Sequence, residues 1–316
     1  MEMRKLAFGI ALLAQALLFA GSAFGELTVG LMPAYNSIPL VVAEAAGFYK
    51  ANNVEMNLAL FNGQLERETA LQTGAVDGTI SDMINAIQSW SHGFGAKVTS
   101  VSEGSFSLLA SPKCRLATLK DWPKGNGPKV SSGLLENSIV YYLTERMLSS
   151  AGADQSRLEL VPIVQLPARL EMLIAGKVET ACLPEPLATL AVSRGARVLA
   201  DSDDMGTTPG VILFTGKALS TKQGEILSFY RAYDQAVDEL NARPDLYREV
   251  IAQKCGFPPA VAKLMRLGRF RHAFLPPEAL VSDVSAWMKG KGLADRQPLY
   301  EDIVARGFLS DHARAE

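Results

Sequence analysis

Apolar residues along this chain fall into two alternating spacings. Short runs rich in Val, Ile and Leu at 27–32, 54–60, 75–80 and 97–101 read as strands. Between them, 38–46, 64–73 and 83–91 repeat apolar side chains at helical steps; Ser37 stands as an N-cap with Pro39 in the first turn, and Gly47 closes the first helix. This order predicts a mostly parallel sheet covered by helices. Near 103–111 the pattern changes, and Phe106 to Leu109 reads as a strand carrying the chain into a second lobe. A second series then follows, with a strand at 128–130, a helix at 137–150, a strand at 158–163, a helix at 168–175 and a closing strand at 198–200. Residues 201–209 are loop-forming, and 211–215 is a strand that returns the chain to the first lobe. Beyond Thr221 the chain is helical. Ile226, Phe229, Tyr230, Tyr233, Ala236, Val237 and Leu240 make one apolar helix face, read as core, and prolines at 244, 258, 259, 276 and 277 cut the rest into short helices.

One unit occurs twice. Leu71, Gly74, Val76, Asp77 and Ile80 recur at the same spacing as Leu173, Gly176, Val178, Glu179 and Cys182. In both, a helix ends at glycine, an acidic residue follows three places later, and an apolar stretch leads into polar residues. The expected fold class is α/β with two similar lobes: 26–104 with 210–316 as a discontinuous first lobe, 105–209 as the second, and two hinge crossovers. Residues just past the matching strands, Ser81 and Asp82 in one unit and Pro184 and Glu185 in the other, are expected to face a shared crevice.

Residues 1–25 read as a secretory signal. Arg4 and Lys5 precede an uncharged run to Ala20, and Ala23, Phe24 and Gly25 form a cleavage site before Glu26. A retained anchor is the rival reading, with a run that is short for a span. Cleavage lowers the basic count from 31 to 29 and the acidic count from 33 to 32, and a net charge near −3 gives no reason to expect nucleic acid or an anionic membrane as partner. Cys114, Cys182 and Cys255 are too scattered for a metal cluster, and one disulfide with a free thiol or three reduced thiols fit an exported chain equally. His92, His272 and His312 have no ligand spacing, so neither a metal nor another cofactor is expected.

The phrase from Pro39 to Lys50, then Val54-Glu55-Met56, then Leu71 to Asp77, resembles the opening of periplasmic solute-binding proteins of ABC importers, in the branch serving alkanesulfonates, taurine, nitrate and thiamine pyrimidine precursors. Glu185-Pro186 after an apolar strand is similar to its second lobe. The resemblance implies a hinged, two-lobed periplasmic-binding-protein fold of type II. It further implies a small-molecule ligand, an inner-membrane ABC permease as partner, a periplasmic location and a monomer.

In such an architecture the crevice loops here are 34–38, 81–85, 103–105, 131–138 and 184–186, which hold Asp82, Glu103, Glu136 and Glu185 but no lysine or arginine. Carboxylates without a cation repel a sulfonate or nitrate, although backbone N–H groups at helix starts bind anions unaided. The balance favours a ligand bearing hydrogen-bond donors, such as an amino-substituted heterocycle, with alkanesulfonates, taurine or another organic anion as the alternative. Tyr35 and Trp90 are candidates for stacking, Asn36 for a paired donor and acceptor, and Ser37, Ser81, Ser131 and Ser132 for hydroxyl contacts. Each has a structural rival: Trp90 as packing, the Ser131–Ser132 cluster as an ordinary turn, Glu103 and Glu136 as solvated loop carboxylates, and Glu185 as the cap of the helix after Pro186. No catalytic residue is expected. An exported enzyme of the same fold and a ligand sensor remain as rival classes.

Overall fold

In the first strand, β1 (Gly25–Leu31), Leu27, Val29 and Leu31 are buried while Glu26 is exposed, so the two-residue period turns one row of side chains into the core. The computed structural model describes residues 25–309, and the export segment read at 1–25 lies outside the described residues except for Gly25. Helix α1 (Ile38–Ala45) follows, Gly47 adopts a φ of 76° where a left-handed turn is needed, and α2 (Phe48–Ala51) leads into β2 (Val54–Leu60), which pairs in parallel with β1. Next come α3 (Gln64–Thr73), β3 (Gly78–Asp82), α4 (Met83–Ser91) and β4 (Lys97–Val101).

The chain then enters a second sheet through β5 (Phe106–Ala110). It continues through β6 (Val130–Leu134), α5 (Ile139–Ser150), β7 (Leu158–Pro162), α6 (Leu166–Ile174), β8 (Thr180–Pro184), α7 (Leu187–Ser193) and β9 (Arg197–Asp201). Strand β10 (Gly210–Phe214) rejoins the first sheet. The strand orders, β2-β1-β3-β10-β4 and β7-β6-β8-β5-β9, are the same topology built twice. In each, one antiparallel strand that has just crossed between lobes lies between two others, β10 beside β3 and β4, β5 beside β8 and β9. This is a two-lobed α/β fold with two hinge crossovers.

The sequence repeat has a physical basis. Gly74 and Gly176 end their helices at φ 74° and 70°. Asp77 then accepts a hydrogen bond from the Thr28 N–H at 2.9 Å, and Glu179 accepts one from the Ser131 N–H at 3.0 Å, so each acid ties the turn to the neighbouring strand. The third strand begins later than its apolar run, at Gly78, because the N–H groups of Ala75 and Val76 turn back to the Ala70 carbonyl. Ser131 and Ser132 sit within β6 and not in the following loop.

Helices α8 (Gly216–Thr221) and α9 (Gln223–Ala242) pack on the first sheet; the seven apolar residues read on the α9 face are all buried, with Phe229 and Tyr230 ring centroids 4.9 Å apart. After α10 (Arg248–Lys254) and α11 (Pro259–Leu264), α12 (Glu278–Gly290) packs against α4, and α13 (Tyr300–Ile303) is the last helix before the described chain ends at Leu309. Helix α12 also bridges the lobes. Asp283 accepts from the Tyr142 hydroxyl at 2.5 Å and from Arg146 at 2.6 Å, while Glu145 accepts from the Trp287 indole at 2.7 Å and from Lys291 at 2.5 Å. All three cysteines are free thiols, and among the described residues no helix is long and apolar enough to cross a membrane.

Candidate ligand-binding cleft

Between the lobes lies a cleft of about 930 Å³, within the usual range for a small-molecule site. The first lobe supplies the loop after β1, the start of α3, the end of β3 and one face of α4; the second supplies the loop after β6, the first turns of α5 and α6, and Pro184 at the end of β8. Parallel strands ending on the same side carry these loops to one place, which is why the crevice forms there.

Two buried arginines face the cleft, one from each wall. Arg67 on α3 and Arg169 on α6 each stand four residues before the repeated leucines, Leu71 and Leu173, so they occupy matched positions in the duplicated unit. Their surroundings differ. Arg67 pairs with Glu68 at 2.6 Å, donates to Ser81 at 3.2 Å and reaches the Met32 sulfur at 3.2 Å. Arg169 is 1 % exposed and has only carbonyl partners, Ile163 at 2.7 Å and Cys182 at 3.4 Å, while its Nε has none. Burial pulls the Arg169 guanidinium down to about 10, which still leaves it charged at neutral pH.

Three polar atoms of cleft-lining residues are buried without a partner: Arg169 Nε, Asn137 Oδ1 and Glu68 Oε2. Asn137 also holds a φ of 63°, a strained conformation for a residue with a Cβ. Each unsatisfied group costs about 1–3 kcal/mol in a buried setting. Asp82 is different, because both its oxygens are used: Oδ1 accepts from the Asn85 N–H at 3.0 Å, capping α4, and Oδ2 accepts from the Asn85 side chain at 2.9 Å. Burial is the largest influence on its carboxyl and pushes it up to about 6.

Of the residues singled out in the sequence, Asn36, Ser81, Asp82 and Glu136 line the cleft. Tyr35 is packed instead: its ring stacks on Phe270 at 4.9 Å and its hydroxyl accepts from the Gly268 N–H at 2.8 Å, beside a hinge cavity of about 30 Å³ that also takes in Asn36 and Glu103. Ser37, placed as an N-cap, makes no cap bond; its buried hydroxyl donates to the Met32 carbonyl at 2.7 Å. Trp90 lies off the cleft with the Arg296 guanidinium 4.9 Å over its ring, and Glu103 forms a hinge ion pair with Arg271. Ser131 is engaged with Glu179, and the buried Ser132 hydroxyl lies in β6 away from the lining. Glu185, next to a cis bond to Pro186, accepts from the Thr189 N–H at 3.1 Å and hydroxyl at 2.8 Å, which is the capping arrangement. The expectation of a crevice without a cation fails, because helices and not loops deliver the two arginines. Carrying the repeat four residues upstream exposes that signal.

A family model described as NMT1/THI5 like matches residues 34–246, most of both lobes. The chain belongs to the NMT1/THI5-like family. No curated protein sequence matches it. Among solved structures, this NMT1/THI5-like chain is similar to the ligand-binding component of an ABC-type import system from Staphylococcus aureus with zinc bound, at 16 % identity and a TM-score of 0.74, covering 90 % of this chain and 97 % of that one. It is similar to the alkanesulfonate-binding protein SsuA from Xanthomonas axonopodis pv. citri bound to MOPS, at 19 % identity and a TM-score of 0.72, covering 90 % and 99 %. A desulfurization enzyme, DSZB, shares the fold at 14 % identity and a TM-score of 0.68, covering 90 % and 97 %. Among the described residues, no three His, Cys, Asp or Glu side chains converge as they would around a metal ion.

Proposed function

We propose that this chain is an exported solute-binding protein that captures a small organic anion between its lobes and delivers it to an ABC import permease. The single observation that carries the ligand class is Arg169, a buried guanidinium on the cleft wall with no carboxylate partner and an unused Nε. A buried charge of this kind is costly until an anion meets it. Support for the importer role comes from the family, from the import-system proteins that share the fold, and from the export signal read at 1–25. The amino-heterocycle reading rested on a crevice without cations and becomes the second choice, kept by the acidic pair Glu68 and Asp82 on the opposite wall.

Binding is favoured over turnover, even though an enzyme shares the fold. Burial raises the Cys182 and Cys255 thiols to about 12, so neither is a ready nucleophile. Calorimetric titration with alkyl- and arylsulfonates, carboxylates and uncharged aminopyrimidines tests the reading. The anions are expected to bind, and Arg169→Gln to weaken them roughly tenfold or more, the worth of one charged hydrogen bond. Binding of aminopyrimidines alone would reverse the choice, and chemical conversion of any bound compound would return the chain to the enzymes. Uptake that persists after gene deletion, together with loss of a ligand response, would favour a sensor.

A further inference from the structure

The buried charges of the cleft are divided between its walls. On the first lobe Arg67 stands with two carboxylates, Glu68 and Asp82; on the second Arg169 stands alone. The matched arginines therefore play unequal parts. Arg67 is neutralised by its neighbour, and the surplus on its wall is negative.

Within that surplus the two acids also differ. Asp82 has both oxygens occupied by Asn85. Glu68, 8 % exposed, receives every bond on one oxygen: Oε1 accepts from Arg67 Nε at 3.2 Å, from the Arg67 terminal nitrogen at 2.6 Å and from Ser81 at 2.6 Å. Its Oε2 has no partner. A carboxylate offers about four acceptor positions, and the terminal torsion of glutamate is broad, so a small turn presents the free oxygen to the cleft without releasing Arg67. Among the described residues no hydrogen bond joins the first wall, 25–101, to the second, 106–201, so no hydrogen bond from the second wall uses up the free oxygen of Glu68.

We propose that Glu68 is the specificity-determining residue of the cleft, selecting organic anions that carry a protonated amine at the end remote from the anionic group. The anion lies on Arg169 of the second lobe and the ammonium on Glu68 of the first, so one molecule satisfies both walls and draws them together. This inference rests on the organic-anion reading, and the following comparison separates the two.

The probes are matched pairs: 4-(aminomethyl)benzenesulfonate against 4-methylbenzenesulfonate, and 4-(aminomethyl)benzoate against 4-methylbenzoate, titrated calorimetrically into the full mature chain. The wild-type protein is expected to prefer the amine-bearing member of a pair roughly tenfold or more. Glu68→Gln, checked for folding by its melting midpoint, is expected to bring that ratio to within about twofold while the amine-free member keeps its affinity. Arg169→Gln is expected to weaken both members alike. Equal binding of both members to the wild type overturns the role of Glu68 alone, and needs no variant to be folded. Failure of all four probes overturns the anion reading and this inference with it. An equal loss for both members in Glu68→Gln assigns the residue to holding Arg67 in place and overturns the proposal.

Discussion

Asp82 shows how far a single residue is governed by its surroundings. As the cap of α4 it is a carboxylate accepting two hydrogen bonds from Asn85, which together with Arg67 pull its pKa down, yet burial outweighs them and leaves it at about 6. An unfolded aspartate titrates at about 3.9. Between those values the folded chain keeps a proton that the unfolded chain has released, so the stability this group contributes is complete below about pH 4 and is lost as the pH rises through about 6. Asp82→Asn retains a capping side chain and escapes that loss. Its unfolding free energy, followed by denaturant titration, is expected to gain on the wild type from pH 4 to pH 7 by an amount on the order of 2–3 kcal/mol; a difference that stays constant with pH would show that Asp82 is not the titrating group. Residue type and register were legible here: Asp82 was readable as the residue that ends a strand at the crevice. What the sequence concealed was Arg169, because a helix-borne guanidinium reaches the crevice only through the turn of α6. Glu185 was legible as an acid at a turn, but its choice between ligand and Thr189 is made by the local fold.

At the scale of elements, the hinge depends on how closely two strands can approach. The Ser102 N–H donates to the Gly210 carbonyl at 2.9 Å, and a Cβ on Gly210 would collide with the Ser102 carbonyl oxygen. Gly210→Ala is therefore expected to cost about 1–3 kcal/mol and to lower the melting midpoint by several degrees. An unchanged midpoint would mean that the strands separate freely. Helix α12 is the second link between lobes. Glu145→Ala strands the Trp287 indole N–H and Lys291 beside the gap it leaves. Breaking a buried pair costs about 3–5 kcal/mol, but Lys291 is one-third exposed, so about 1–3 kcal/mol is expected. Thermal denaturation measures this, and a variant as stable as the wild type would reduce the bridge to a surface contact. Helices and strands were legible because their apolar periods are strong: 64–73 and 83–91 are the observed α3 and α4. The delayed start of β3 and the strand placement of Ser131 were hidden, since they depend on which backbone groups pair.

For the whole molecule, the described hydrogen bonds between lobes run through the hinge and α12, α11 also packs against α7, and among the described residues the two cleft walls share no hydrogen bond. A ligand that binds both walls therefore gains most when they approach. Its addition is expected to reduce the radius of gyration in X-ray scattering; an unchanged radius at saturation would mean that the cleft is already in its binding geometry. The sequence by itself determined the α/β class, the duplicated unit and the two crossings, because periodicity, glycine turns and repeat spacing are local and survive in one dimension. The tertiary structure alone decided which side chains share the cleft and which of them are already satisfied. Whether a buried arginine or glutamate is free to meet a ligand depends on neighbours brought from distant parts of the chain, and only folding places those neighbours.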